Sequence, residues 1–417
     1  MIHWKKLSQK DIKERVFSAL DQNVNFYEEY VLGIPASHLD GRVFNIDSPI
    51  LKEAPYLSTM VHNPNHIGCH TLGTSETMFA GTHQIERDLI KICAEDILGG
   101  EENAHDGYVA SGGTEANMQA IWVYRNYFRM KFGAENNEIM ILCSEDSHYS
   151  MAKSSNILNI DISFVNVNPD DRSLDEQSLQ NITSKAKENG VKYFIVVANM
   201  MTTMFGSVDD VDLYVDILES QKLEYKIHVD GAFGGFFYPF STEKHNLDFS
   251  NPNVSSVTLD AHKMVQAPYG TGIFIIKKGL LENAITEEAS YIEGEDYTII
   301  GSRSGANAVA VWMILCNYGP FDWQEKITTL INRTNWVCRN LDKYNIEYFR
   351  QIGSNIITVK ADFIGIELVE KYGLVPDSHK NPSWYKIVIM DHVTIDRLMP
   401  MMEELCNASP DDLLIKN

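Results

Sequence analysis

His228-Val229-Asp230-Gly231-Ala232-Phe233-Gly234-Gly235 carries the deciding pattern: apolar strand residues run into an acid, then into residues too small to obstruct a flat ring. About thirty residues on, Thr258-Leu259-Asp260-Ala261-His262-Lys263-Met264 places a lysine just past a second strand, with Pro268-Tyr269-Gly270-Thr271-Gly272 behind it. In an open α/β sheet, ligands sit at the carboxyl ends of parallel strands. Asp230 and Lys263 are therefore expected to face one crevice. Lysine is a nucleophile only when unprotonated, which an enzyme arranges by desolvation or by neighbouring charge. A lone lysine is ordinarily a solvated surface charge, and a lone acid at a strand end an ordinary turn. Their company separates them from those readings. The Gly270-Thr271-Gly272 run leads into a strand, so it is not a dinucleotide loop.

Two upstream segments add to the crevice. In Gly107-Tyr108-Val109-Ala110-Ser111-Gly112-Gly113-Thr114-Glu115-Ala116-Asn117, small residues open directly into a helix beginning near Glu115. Free N–H groups at a helix start, with a threonine hydroxyl beside them, suit a phosphate monoester. Thr114 alone would explain a helix cap, but the glycines before it serve a ligand rather than a cap. Ser144-Glu145-Asp146-Ser147-His148-Tyr149-Ser150 again follows a strand, and His148 could stack on a planar group.

Around these segments the chain alternates helical and strand-like periods. Thr82–Leu98 and Glu115–Phe132 read as helices stopped by Gly99-Gly100 and Gly133, with apolar β-rich runs at Ile139–Cys143, Ile162–Val167, Tyr193–Ala198, Lys226–Val229, Ser255–Leu259 and Gly272–Ile276. This spacing predicts a mostly parallel sheet covered by helices. After Gly305 long helices are expected at Ala306–Tyr318 and Trp323–Tyr344, then strands at Ile356–Lys360 and Lys386–Met390, each followed by a helix: a separately packed α+β piece. The organisation expected is an N-terminal segment (1–80), a large domain (81–310) and a small C-terminal domain (311–417).

The net charge of −22 argues against a nucleic-acid or anionic-membrane surface. Nothing approaches the ~18–20 apolar residues of a membrane span, and Met1–Lys10, with Trp4, Lys5, Lys6 and Lys10, lacks the apolar core of a secretory signal. The six cysteines are scattered without a paired framework, which suits reduced thiols in a cytoplasm.

Read in order, "SGGTEAN", "SHYS", "TTMFGSVDD", "HVDGAFGG", "DAHKM…PYGTG" and "GSRSGA" resemble the group II pyridoxal-5′-phosphate (PLP) dependent decarboxylases, the family of glutamate, aromatic amino acid, histidine and archaeal tyrosine/aspartate decarboxylases. The likeness runs from about residue 80 to about 320 and weakens beyond. It implies PLP fold type I, the aspartate-aminotransferase-like α/β fold, in a homodimer with shared sites. It also implies roles: Lys263 as the covalent anchor of PLP, Asp230 as partner of the ring nitrogen and His148 stacked on the ring; Ala232, small enough to let a flat ring approach, is expected among the cofactor-binding residues. Gly113 and Thr114 would hold the phosphate with His262 close by, Thr203 would lie near the ring's 3-oxygen and the substrate carboxylate, and Ser302 would reach the partner subunit's phosphate. A loop tyrosine would protonate Cα after CO₂ loss. Tyr291 and Tyr297 are the candidates, Tyr291 preferred.

Two places depart from that pattern. The C-terminal strand of the family often carries an arginine near its start and a proline before a histidine, where Lys386 and Asp391 stand here. Lysine cannot make arginine's bidentate carboxylate contact, so Lys386 is left out of the expected site. His62, His66, Cys69 and His70 have the spacing of possible metal ligands, but Pro64 and Gly68 break a helix there, and no metal is expected. The segment is expected to line the substrate mouth instead. The reading is decarboxylation of a polar or aromatic L-amino acid such as histidine, tyrosine, aspartate or glutamate. The alternative is a carbon–carbon lyase resembling sphingosine-phosphate lyase, or an aminotransferase, of the same fold.

Overall fold

The computed structural model describes residues 55–72, 79–284 and 296–413, together with 10, 30, 32–33 and 39–44. Its strands in chain order begin with β1 (Asn65–Ile67), β2 (His105–Ala110), β3 (Ile139–Ser144), β4 (Asp161–Val165), β5 (Tyr193–Asn199) and β6 (Glu224–Asp230). There follow β7 (Val254–Asp260), β8 (Gly272–Lys277), β9 (Ser302–Ser304), β10 (Tyr348–Phe349), β11 (Ile356–Lys360), β12 (Val375–Pro376) and β13 (Trp384–Val388). Seven of them form the main sheet in the order β2-β8-β7-β6-β5-β3-β4. The run β7-β6-β5-β3-β4 is parallel, and β8 lies antiparallel between β7 and β2. This is the mostly parallel α/β sheet of PLP fold type I.

The middle strands are buried on both faces, which is why Phe194-Ile195-Val196-Val197-Ala198 is continuously apolar rather than alternating. β2 escapes a pattern reading because His105, Asp106 and Gly107 are poor strand formers. Their burial is decided by β8 beside them.

Helix α1 (Ala80–Lys91) passes into a wider π turn at Ile92–Ile97, and α2 (Gly113–Phe132) ends at Gly133 with φ 66°, a left-handed cap that costs glycine little. Helix α3 (Gly305–Lys343) runs through both helices expected there and bends at Gly319, with φ 64° and ψ 177°, just before Pro320. Beyond it β10-β11-β13-β12 make a small antiparallel sheet. The C-terminal piece packs against the large sheet through one continuous apolar cluster. Buried residues of the small sheet, such as Ile356 and Ile387, are continuous with Val257 and Leu259 of the large one. α3 makes the join, its Trp323 indole N–H donating to the Phe236 carbonyl at 3.0 Å. A second cluster fills the other face of the sheet beneath α2. Among the described residues no helix is long and apolar enough to cross a membrane.

This topology brings the carboxyl ends of β2, β3, β5, β6 and β7 to one side of the sheet. Every segment singled out from the sequence as chemistry-bearing before residue 270 leaves one of those ends.

Candidate active site

A cavity of about 330 Å³ opens there, lined among others by Gly113, Thr114, His148, Thr203, Asp230, Ala232, His262 and Lys263. The structure thus gathers eight expected residues from five strand ends. Ser302 is elsewhere: exposed on β9, with its hydroxyl accepting from Asn65 at 3.5 Å. Tyr291 lies outside the described residues. Tyr297 is 4% exposed, packed in the apolar cluster beneath α2 and absent from the cavity lining. Its backbone carbonyl is tied down by Gln119 at 2.7 Å.

Asp230 is 8% exposed, so its carboxylate needs donors from the protein. Oδ1 accepts from the Ala232 N–H at 3.1 Å and Oδ2 from Asn117 Nδ2 at 2.9 Å. Behind Asn117 runs a chain whose direction is set by its members. The Tyr124 hydroxyl donates to Ser256 Oγ (2.5 Å), which leaves the Ser256 proton for His228 Nδ1 (2.7 Å). His228 Nε2–H then donates to Asn117 Oδ1 at 2.9 Å, turning the amide nitrogen toward Asp230. Burial pushes His228 down to about 4, so it stays neutral and keeps this tautomer. The Asn117 nitrogen also donates to Ser150 Oγ at 3.2 Å, and both the Ser150 hydroxyl (2.8 Å) and its backbone N–H (3.2 Å) point at His148 Nδ1. One amide therefore aligns both the acid and the histidine. Burial pushes His148 below the ordinary histidine value, so the ring that faces the cavity is a neutral one. Asn117 stands in the "SGGTEAN" run, but only the three-dimensional link to His228 reveals its part.

Asp260, at the end of β7, joins two walls of the cavity. Its Oδ1 lies 2.6 Å from His262 Nδ1, and its Oδ2 accepts the Gly113 N–H at 3.1 Å. The Gly113 amide, expected to face a phosphate, is thus committed to Asp260. Gly113 serves instead by lacking a side chain, since a Cβ there would sit 3.1 Å from Asp260 Oδ2 and 3.2 Å from Ala232 Cβ.

Lys386, left out of the expected site on sequence grounds, stands behind Thr203 of the cavity wall. It is 4% exposed on β13, and its ammonium donates to the Thr203 carbonyl at 3.0 Å. Burial, with the charge of Lys263 added, lowers it to about 8. Among the described residues no carboxylate lies within ion-pairing reach of it.

Residues 83–349 match the model of the pyridoxal-dependent decarboxylase conserved domain. The chain belongs to that family. It is 51% identical over 415 residues to a tryptophan decarboxylase of Clostridium sporogenes, covering 99% of each chain. The fold superposes on L-methionine decarboxylase of Streptomyces sp. 590 with a TM-score of 0.78, at 20% identity, over 98% of this chain and 96% of that one. It also superposes on a sphingosine-1-phosphate lyase of Burkholderia pseudomallei, with a TM-score of 0.76 at 16% identity over 99% and 93%. The fold alone is common to decarboxylases and that lyase, whereas the family model and the 51% identical relative are both those of decarboxylases. This decarboxylase is a PLP-dependent carboxy-lyase acting on an amino acid, and the cavity suits the cofactor. It offers a lysine, a buried acid with both oxygens aligned, a neutral imidazole and a glycine-lined helix start.

The histidine segment turns out otherwise than expected. His66 and His70 are buried and absent from the cavity lining, so they form no substrate mouth, and His62 lines a separate groove with Thr82 and Phe79. His83, from α1, joins His66 and His70 with nitrogens within 4.8 Å of one another. The sequence spacing did not suggest His83. Both ring nitrogens of His66 are engaged, Nδ1 with Glu86 (2.9 Å) and Nε2 with Thr82 (2.9 Å), and Glu86 is already balanced by buried Arg303 at 2.5 Å. A bound cation would add uncompensated charge to this interior.

The alignment through Asn117 makes a direct claim on rate. Asn117→Ala is expected to lower kcat/KM by about 10- to 100-fold, matching the roughly 1.5–3 kcal/mol of a hydrogen bond to a charged group. Steady-state kinetics at saturating cofactor would measure it, and a value within two-fold of wild type would remove Asn117 from the site.

Proposed function

We propose that this enzyme decarboxylates an aromatic L-amino acid, L-tryptophan foremost, to the amine and CO₂. The observation that carries this is the 51% identity to the Clostridium tryptophan decarboxylase across essentially the whole of both chains. The site adds a negative argument. An acidic side chain needs a cation; of His62, His66 and His70, which could serve if protonated, the last two are buried against Glu86 and His62 lines a separate groove. Aspartate and glutamate lose their support, while an aromatic substrate stays within the polar or aromatic class read from the sequence.

The residue roles form one scheme. Bound PLP supplies an electron sink for the pair left at Cα when CO₂ departs. Lys263 would hold the cofactor covalently. Asp230 would pair with the ring nitrogen, and His148 and Ala232 would contact the ring. Thr114, at the start of α2, holds the phosphate with the Gly112–Gly113 turn, and His262, braced by Asp260, closes that side. Thr203 and Lys386 meet the substrate carboxylate. Lys386 does so with a single contact where a guanidinium would make two. Tyr291 returns the proton to Cα. The chain acts as a homodimer, in which exposed Ser302, with Ile299 (38%) and Ile300 (41%) beside it, faces the partner's phosphate site. Residues 1–80, 81–310 and 311–417 serve as contact segment, cofactor domain and small domain.

Carbon dioxide release from each of the twenty amino acids tests the substrate. Tryptophan is expected to lead, other aromatics to follow, and Lys263→Ala to abolish turnover. Preference for leucine or valine would overturn the proposal, and release from none would point to the lyase chemistry.

A carboxylate partner must be a cation, and Lys386 is one only below about 8. KM is therefore expected to climb as pH rises through about 8. In Lys386→Arg, whose guanidinium stays charged, that limb should vanish from the profile. A limb unchanged in the arginine variant would mean that Lys386 does not receive the carboxylate.

Mixing Lys263→Ala with Ser302→Asp subunits tests the shared site. Both defects would fall in one composite pocket of the heterodimer, leaving the other intact, so activity should return. Heterodimers without activity would exclude sharing.

A further inference from the structure

β2 lies at the edge of the main sheet, so the backbone groups that point away from β8 have no neighbouring strand. Close to its carboxyl end, side chains take their place. The Gly107 N–H donates to Thr71 Oγ1 at 3.0 Å, and the Gly107 carbonyl accepts from the Cys69 thiol at 3.1 Å. The Val109 N–H donates to Glu86 Oε1 at 2.8 Å, and the Val109 carbonyl accepts from Arg303 at 3.0 Å. Burial pushes the Cys69 thiol up to about 11, so it remains a donor. Together these contacts form a clasp of side chains that replaces a missing strand.

The clasp centres on an ion pair. Glu86 is 1% exposed and Arg303 7%. Burial alone would push the Glu86 carboxyl up, but the Arg303 charge and the contacts from His66 and His70 hold it well below the usual carboxylate range. Arg303 donates in addition to the Gly68 carbonyl, which ties β9 to the turn after β1. An apolar cover could hide this edge at least as stably, because a buried ion pair often gains nothing over well-packed apolar side chains. What the charged pair supplies is direction: each donor and acceptor fixes one backbone group of Val109. Two residues farther on is Ser111, which lines the cavity and whose N–H donates to Glu115 Oε2 at 2.7 Å at the start of α2.

We propose that Glu86 and Arg303 are positioning residues for the cofactor phosphate. They set the end of β2 so that Ser111–Gly112–Gly113 enters α2 with Thr114 facing the phosphate. This rests on the reading of the Gly112–Thr114 turn as the phosphate cradle. Neither residue lines the cavity, so neither touches cofactor or substrate.

The test is PLP affinity, followed by absorbance as PLP is titrated into the full-length apo-protein, alongside kcat at saturating PLP. Glu86→Gln keeps an oxygen for Val109 but loses the charge that holds Arg303, and it is expected to raise the Kd for PLP about ten-fold or more. Its kcat at saturation should stay within about two-fold, since the reacting groups are untouched. Thr71→Val removes the Gly107 acceptor and the contact with the Cys69 thiol, and should move Kd the same way by about three-fold. Unchanged Kd values with only a lower melting temperature would reduce the clasp to a structural brace and overturn the proposal. Should Glu86→Gln fail to fold, Thr71→Val decides alone, and a wild-type Kd there is fatal. Thr114→Val separates the two layers. If it leaves Kd unchanged, the cradle reading fails and the clasp proposal with it. If it weakens binding while the clasp variants do not, the clasp alone is wrong.

Discussion

Asp230 is a buried carboxylate with one protein donor on each oxygen, and that constraint orders everything around it. An anion taken out of water must be met by donors of fixed direction. The donor from Asn117 is directed by neutral His228, which is directed in turn by Ser256 and Tyr124. Tyr124 and Asn117 are on α2, Ser256 on β7 and His228 on β6, so the acid's orientation depends on the registration of a helix across two strands. A small rotation of α2 would disturb the acid and, through Ser150, His148 at the same moment. The helix whose start faces the phosphate side is thus the one that aims the groups on the ring side.

The same economy governs the cationic groups. Lys263 lines the cavity and Lys386 comes from a different part of the fold, near enough that the charge of Lys263 helps to lower Lys386. Holding two ammonium groups together in a desolvated place is unfavourable unless one sheds its proton or both face anions. Substrate arrival would bring a carboxylate to the second lysine. The pairing of Lys386 with a backbone carbonyl, rather than with an acid, leaves it available for that anion.

Much of this was legible in the sequence because it is local. Asp230 and Lys263 each follow an apolar run by one or a few residues, and those β-rich runs with glycine punctuation placed them at strand ends. What escaped was non-local or cyclic in its logic. β2 has weak strand residues and is a strand because β8 pairs with it. Asn117 looks like an ordinary helical residue until His228 is beside it. Lys386 was set aside on the chemistry of one substitution, yet burial on β13 brought it against Thr203. The histidine segment erred in the opposite direction: polar residues read as a mouth are buried, because Glu86 of α1 and Arg303 of β9 supply partners that spacing along residues 62–70 cannot show.

That last error shows which kind of residue hides most easily. A polar residue near a binding loop can serve the ligand directly or serve the backbone that carries the loop, and composition does not tell these apart. Burial with complete pairing does. Glu86 gives one oxygen to Val109 and the other to two histidines, with Arg303 across both, so it has no lone pair free for a ligand. Lys386, buried to a similar degree, has a single carbonyl partner and two unused protons. Equal burial with unequal pairing therefore separates a fully partnered group from one that keeps donors to spare among the described residues.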